Sequence, residues 1–269
     1  ITHLSSLRPL ALRLLLDWAD RAREYGANSV FYDQLGYGER ATNWDLSREF
    51  PVPNMHVIAD KAEVLKMVRD RNVSFDPEFA LGTEWLTDVT AQYCDYIHIY
   101  QTTAGKYSFI DWFRYTFPEI IISDREIRDD TDIERRVNNT LLKGLRNDIE
   151  IYRCRDLIDK TPHYQAYLAQ VNAIKSRYED LLLVGTYRDT EGFTQSNPGI
   201  EARAYVNGGG MAIVATRTQE GKAVKGTIEV PGYRFAEAST LGNAQVSSDG
   251  REVTLGQYDL AVLVYKKTK

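Results

Sequence analysis

Ser29-Val-Phe-Tyr-Asp33-Gln-Leu-Gly36 is the stretch whose reading decides the fold. The run Ser29–Tyr32 is mostly apolar with no polar alternation, which fits a strand buried on both faces, the parallel kind. The residues before it point the same way. Pro9 to Tyr25 carries one apolar stripe of Leu12, Leu15, Leu16, Ala19 and Ala22. It has a proline where a first helical turn needs no N–H, and Gly26 stops it. A helix, a glycine and a buried strand in immediate succession begin an alternating α/β pattern.

The alternation continues outward from there. Helices are expected at Asp60–Arg71, Trp85–Tyr93, Thr131–Arg146 and His163–Leu183. Strands are expected at Phe79–Glu84, Tyr96–Gln101, Glu119–Asp124 and Ile149–Arg153. Parallel strands need crossover connections, and intervening helices supply them, so the expectation is a parallel sheet covered by helices. A doubly wound open sheet fits the same pattern. After about Leu183 the texture changes. Ala202–Val206, Met211–Arg217, Val224–Val230, Arg234–Ala238, Glu252–Leu255 and Leu260–Tyr265 read as alternating strands. Asn207-Gly-Gly-Gly210, Glu220-Gly221, Pro231-Gly232 and Asp249-Gly250 separate them as hairpin signals. The expected domains are therefore residues 1–186, α/β, and residues 187–269, all β.

Composition limits the partners. With 43% hydrophobic and 26% charged residues over 269 positions, the chain has the make-up of a soluble globular protein. A net charge of −5 without a basic block argues against nucleic acid as a partner. No run of about 18 apolar residues occurs, so no membrane span is expected. Cys94 and Cys154 form neither a disulfide framework nor a metal motif, and the four histidines are dispersed. No Walker loop, Gly-x-Ser-x-Gly elbow or His-Glu-x-x-His pair is present, so no metal and no cofactor are expected. Gly36-x-Gly38-x-x-Ala41 mimics a dinucleotide fingerprint, but Asn43-Trp44-Asp45 and two prolines follow where a helix should open. Seventeen Tyr and four Trp are a generous supply of rings with an apolar face and a polar tip, which suits sugars.

Functional groups of a parallel α/β sheet collect at the carboxyl ends of its strands. Those ends are Asp33, Glu84, Gln101, Asp124 with Glu126, and Arg153. Carboxylates predominate, and a carboxylate pair with one ionised and one protonated member is what glycosidic cleavage needs. Asp33 would be the nucleophile or stabilising base. Glu84 would be the general acid, with Trp85 beside it to exclude water. Asp124 is the reserve carboxylate, or a ligand for a pair of sugar hydroxyls. His98, Gln101 and Arg153 are further hydroxyl ligands, and Tyr32, Trp44 and Trp85 are aromatic contacts for substrate. The segment Leu35–Asn54, rich in Gly, Asn, Trp and Pro, exceeds an ordinary strand-to-helix connection and would wall the cleft.

Three segments carry a resemblance: Ser29-Val-Phe-Tyr-Asp33-Gln-Leu-Gly36, Phe79-Ala-Leu-Gly-Thr-Glu84-Trp85, and Tyr178 to Phe193 with its Leu-Val-Gly-Thr-Tyr-x-Asp-Thr-Glu-Gly-Phe run. With these the chain resembles the C-terminal part of a bacterial glycoside-hydrolase-like family, similar to the (β/α)8 barrels of α-amylases and α-galactosidases. The resemblance implies that Asp33 ends the fourth barrel strand as nucleophile and Glu84 ends the fifth as acid. The α-galactosidase-type acid would fall on Gln101, which cannot donate as an acid. It also implies the fold: strands four to eight of a TIM barrel, then a C-terminal antiparallel β-sandwich. An oligo- or polysaccharide substrate follows, as do a missing N-terminal half of the barrel as partner and a periplasmic or extracellular location. On this reading the chain is a fragment of an O-glycosyl hydrolase, retaining or inverting. Two other classes stay open: a non-catalytic carbohydrate-binding protein, and an open-sheet α/β hydrolase or transferase that lacks its usual nucleophile motif.

Overall fold

The computed structural model describes residues 9–36, 44, 57–85, 87–99, 109–125, 129–148 and 157–268. The first part of the chain forms α1 (Pro9–Glu24), β1 (Ser29–Tyr32), α2 (Val57–Phe75), β2 (Ala80–Glu84), α3 (Asp88–Ala91) and β3 (Tyr96–Ile99). Next come α4 (Phe109–Thr116), β4 (Ile121–Asp124), α5 (Ile133–Leu142), β5 (Arg146–Asn147), α6 (Pro162–Arg177) and α7 (Glu179–Leu182). Only strands follow: β6 (Thr186–Tyr187), β7 (Thr194–Gln195), β8 (Glu201–Asn207), β9 (Gly210–Thr216) and β10 (Val224–Glu229). The last are β11 (Tyr233–Leu241), β12 (Gln245–Val246), β13 (Glu252–Leu255) and β14 (Leu260–Lys267). The sheets have the orders β1-β2-β3-β4-β5, β12-β13-β10-β7 and β11-β14-β9-β8-β6. β1 pairs with β2, and β2 with β3, in parallel. The pairs of the other two sheets are antiparallel. The mixed α/β class and its order along the chain are as expected.

The departures have local causes. The helix expected at Trp85–Tyr93 shrinks to α3 because Trp85 holds a left-handed backbone (φ 80) and Thr87 starts the helix late, its Oγ1 accepting from Thr90 N at 3.1 Å. The helix expected at His163–Leu183 divides at Tyr178, whose backbone is not helical (φ −117, ψ 36). The strand expected at Ile149–Arg153 lies outside the described residues, and β5 sits just before it. α4 was not expected, since eight residues rich in aromatics give too short a window for helical periodicity. β6, β7 and β12, of two residues each, are too short to show any pattern.

Packing groups the chain into two compact units, residues 1–100 with 120–123 and residues 101–119 with 124–269. In the first, Ala19 of α1, Val64, Leu65 and Val68 of α2, Leu81 of β2 and Ile97 of β3 are fully buried. An Arg71–Asp20 ion pair at 2.7 Å joins α2 to α1. In the second, β9 and β14 are covered on both faces. Ala212, Val214, Leu260, Val262 and Val264 share a hydrophobic cluster with Val137 and Leu141 of α5 and Leu168 and Val171 of α6. The intervening Met211, Ile213, Ala215, Ala261, Leu263 and Tyr265 join Ile228 of β10 and Val253 and Leu255 of β13. The apolar–polar alternation expected for β9 and β14 is thus corrected to continuous burial, because helices cover the face that would have met water. α5–α7 precede residue 187 yet share their core with strands that follow it.

A half-buried charge cluster lies in this second unit. The Asp111 carboxylate of α4 accepts from Tyr187 Oη at 2.6 Å, from Arg203 Nη2 at 3.2 Å and from Lys143 Nζ at 3.2 Å. Arg203 Nε also meets Asp189 Oδ1 at 2.8 Å. Burial pushes the Asp111 carboxyl up, but the Arg203 and Lys143 charges and the hydrogen bonds outweigh it and hold the group below the ordinary carboxylate range. The stabilisation is present above the ordinary carboxylate pKa and is lost as pH falls through the lower folded value. Asp111→Ala takes an ion-pair partner from Lys143 and leaves Arg203 with Asp189, and unfolding in urea at pH 7 should show a loss of about 1–3 kcal/mol. This difference from wild type should shrink in acid.

Lys175 of α6 behaves oppositely. Its ammonium donates to Asn147 Oδ1 at 3.0 Å, and burial, aided by the Arg146 charge, lowers it from 10.5 to about 8. Charged Lys175 costs stability below pH 8, and that cost disappears as pH rises through 10.5. Lys175→Met should raise the urea midpoint at pH 7, by about 1 kcal/mol of stability, and the gain should vanish at strongly alkaline pH.

Candidate active site

The parallel register decides which side chains share a face. Phe31 lies opposite Gly82 and Gly82 opposite Tyr96, while Glu84 lies opposite His98. Side chains alternate along a strand, so Phe31, Glu84, Tyr96 and His98 project from one face. Their packing agrees: the Phe31 and His98 rings stand 4.5 Å apart and Phe31 and Tyr96 are stacked at 6.1 Å. Gly82 makes this possible, because a Cβ there would fall 2.2 Å from the Tyr96 ring. Tyr32, Thr83 and Ile97 belong to the other face. That is the helix side, where the Tyr32 hydroxyl donates to the Leu15 carbonyl of α1. Burial pushes the Tyr32 phenol up. Tyr32 is therefore built into the scaffold and is not part of the Glu84 face.

Asp33 follows β1 directly, exposed, in a turn that runs through Gln34 (φ 59) to the buried Gly36. This turn is pressed onto the end of β2. Thr83 Oγ1 donates to Tyr32 O at 2.9 Å and accepts from Gly36 N at 2.7 Å. A Cβ on Gly36 would lie 2.5 Å from the Glu84 carbonyl oxygen. Since Tyr32 is level with Thr83, Asp33 and Glu84 occupy corresponding positions at the carboxyl ends of adjacent parallel strands. Glu84 is 5% exposed. Trp85 is half-buried, with its N–H donating to the His98 carbonyl at 2.8 Å. Lys61, buried near the start of α2, reaches Gln34 O at 3.2 Å and ties that helix to the Asp33 turn.

Trp44 is 69% exposed. Asp124 ends β4, is 2% exposed, and its carbonyl accepts from Asp148 N at 3.0 Å. Arg125 and Asp148 stand 3.9 Å apart, and Tyr164, beside Asp124 and Asp148, has its phenol pushed up by burial and by those charges. Gln101, Arg153 and Glu126 lie outside the described residues. The part that Lys61, Thr83 and Gly36 play in holding the Asp33 turn was not among the expectations. A lysine in a helix reads as solvent-facing, and a threonine and a glycine carry no catalytic signal of their own. Among the described residues there is no group of three or more His, Cys, Asp or Glu that could hold a metal ion, and no helix is long and apolar enough to cross a membrane.

No protein-family model and no curated protein matches the sequence. Solved structures do match in fold. The α-amylase from Geobacillus thermoleovorans in complex with acarbose aligns with a TM-score of 0.64 at 11% identity, covering 99% of this chain and 66% of that one. An Anoxybacillus α-amylase gives 0.61 at 10% identity, over 99% and 65%. The isomaltulose synthase of Erwinia rhapontici gives 0.63 at 9% identity, over 98% and 69%. The chain is similar in fold to these glycoside-hydrolase-type structures and spans about two thirds of their length.

Two substitutions test the turn. Thr83→Val removes a buried donor and acceptor at once and should cost about 1–3 kcal/mol. Gly36→Ala forces the turn off the end of β2 and should cost about as much. Both are read as lowered urea midpoints.

Proposed function

We propose that this chain contributes the catalytic carboxylates of a glycoside hydrolase that cleaves O-glycosidic bonds. The observation that carries the reading is the correspondence of Asp33 and Glu84 at the carboxyl ends of adjacent parallel strands, one exposed and one buried. Asp33, open to solvent, suits a nucleophile or base. Glu84, buried beside the half-buried Trp85, suits the acid that protonates the leaving oxygen. The row of Phe31, Tyr96 and His98 on the Glu84 face supports a sugar ring as the bound group. Asp124, Gln101, Arg153 and Trp44 are proposed as further substrate contacts. The fold likeness to α-amylases supports the same class.

The proposal includes a barrel of which the described sheet is the second half, followed by a β-sandwich, with further β/α units supplying the rest. The exposed Leu10, Leu14 and Trp18 of α1 support such a neighbour, since they recur at helical spacing on a face that is uncovered among the described residues. Carboxyl groups about 5–5.5 Å apart would make a retaining pair, and about 6.5–9.5 Å would make room for an inverting water.

Asp33→Asn and Glu84→Gln should each reduce turnover of aryl glycosides by the full-length protein about a hundredfold or more. Unchanged rates would sink the assignment. Oligosaccharide binding without turnover in the wild type would select the non-catalytic carbohydrate-binding alternative.

A further inference from the structure

We infer that a cleft remote in sequence from Asp33 and Glu84 is a second, non-catalytic site for a neutral oligosaccharide. It is lined by Glu134 of α5, Tyr167 of α6, and Gly242, Gln257, Tyr258 and Asp259 from the turns that flank β12–β13 and lead into β14, and encloses about 380 Å3. All six residues belong to the second compact unit. That volume falls within the range of small-ligand pockets, roughly 300–1,000 Å3.

Hydrogen bonds hold Tyr167, Tyr258 and Asp259 in place. Tyr258 sits in the left-handed region (φ 60), a conformation that a bulky residue keeps only where its surroundings impose it. Its N–H donates to Arg217 O at 2.8 Å, and its carbonyl accepts from Asn138 Nδ2 at 2.8 Å. Asn138 Oδ1 in turn accepts from Tyr167 Oη at 2.8 Å. The Asp259 carboxylate accepts from Asn243 N at 2.8 Å and from Gly256 N at 2.6 Å. Gly242 (φ 73) closes over it so tightly that a Cβ would lie 2.1 Å from Asp259 Oδ1.

The chemistry of the lining selects the ligand. Glu134 is hydrogen-bonded to His163 Nε2 at 2.8 Å, and each oxygen of Asp259 already takes a backbone N–H. Both carboxylates keep their charge, so an anion is repelled, and with these oxygens already engaged and no third His, Cys, Asp or Glu grouped with them among the described residues, they do not form a cage for a metal ion. Their remaining lone pairs, with the exposed Gln257 amide as donor and acceptor, match vicinal hydroxyls. The Tyr258 ring offers an apolar surface for the C–H face of a pyranose. The choice of carbohydrate rests on the reading proposed above, but the site uses none of its residues.

The test titrates maltotriose, cellotriose and xylotriose, with choline as the cationic control, into the whole chain by calorimetry. Wild type is compared with Gln257→Ala and Tyr258→Asn. Asparagine tolerates a positive φ, so Tyr258→Asn removes the ring and keeps the turn. Gln257 is exposed, so its truncation leaves the core intact. The expectation is that a trisaccharide binds wild type and that both pocket variants weaken it about tenfold or more. The inference is overturned if no trisaccharide binds, if binding survives both pocket variants, or if only choline binds. The aryl-glycoside assay fails or succeeds independently of these outcomes.

Discussion

The double-sided burial of β9 and β14 is the constraint on which most of this structure depends. A strand apolar on both faces cannot end at a solvent boundary, so each face needs a cover. One cover is the sheet containing β10 and β13; the other is the layer formed by α5, α6 and α7. The helices that complete the α/β region of the chain are thereby committed to the β-rich region as well. Their own apolar residues, such as Val137, Leu168 and Val171, find their partners there.

The same commitment explains the half-buried charges nearby. α4 brings Asp111 to where Arg203, Lys143 and Tyr187 converge, and each of these polar groups is compensated by the others. A satisfied network of this kind fixes a unique arrangement, because any slip leaves a charge buried without its counterpart. Lys175 shows the opposite economy. Its single amide partner leaves the ammonium poorly solvated, and the result is a depressed pKa instead of a strong bond.

The strand ends depend on backbone contact more than on any catalytic group. Thr83 ties Tyr32 to Gly36, and Gly36 lets the turn after β1 lie against the Glu84 carbonyl. The pleat then sorts the side chains: Glu84, His98, Phe31 and Tyr96 to one face, Tyr32 and Thr83 to the helix side. Asp33 and Glu84 were legible as candidates because an acid closing an apolar strand stands out against its neighbours. Tyr32 faces α1, because successive residues of a strand project from opposite faces. Lys61 went unnoticed because helical charges ordinarily face water.

By itself the sequence determined most of the helices and longer strands, the parallel and antiparallel regions, and the acids at the strand ends. These follow from local periodicity, from glycine and proline punctuation, and from the contrast between apolar runs and the residues that close them. Tertiary structure alone decided that β9 and β14 are covered twice, that the expected long final helix breaks at Tyr178, and that the α5–α7 helices pack on the later strands. It alone assembled the Asp111 cluster and the cleft around Tyr258, and it alone pressed the Asp33 turn onto the end of β2. Each of these arises from contacts between residues far apart in the chain, and short-range pattern carries no record of such contacts.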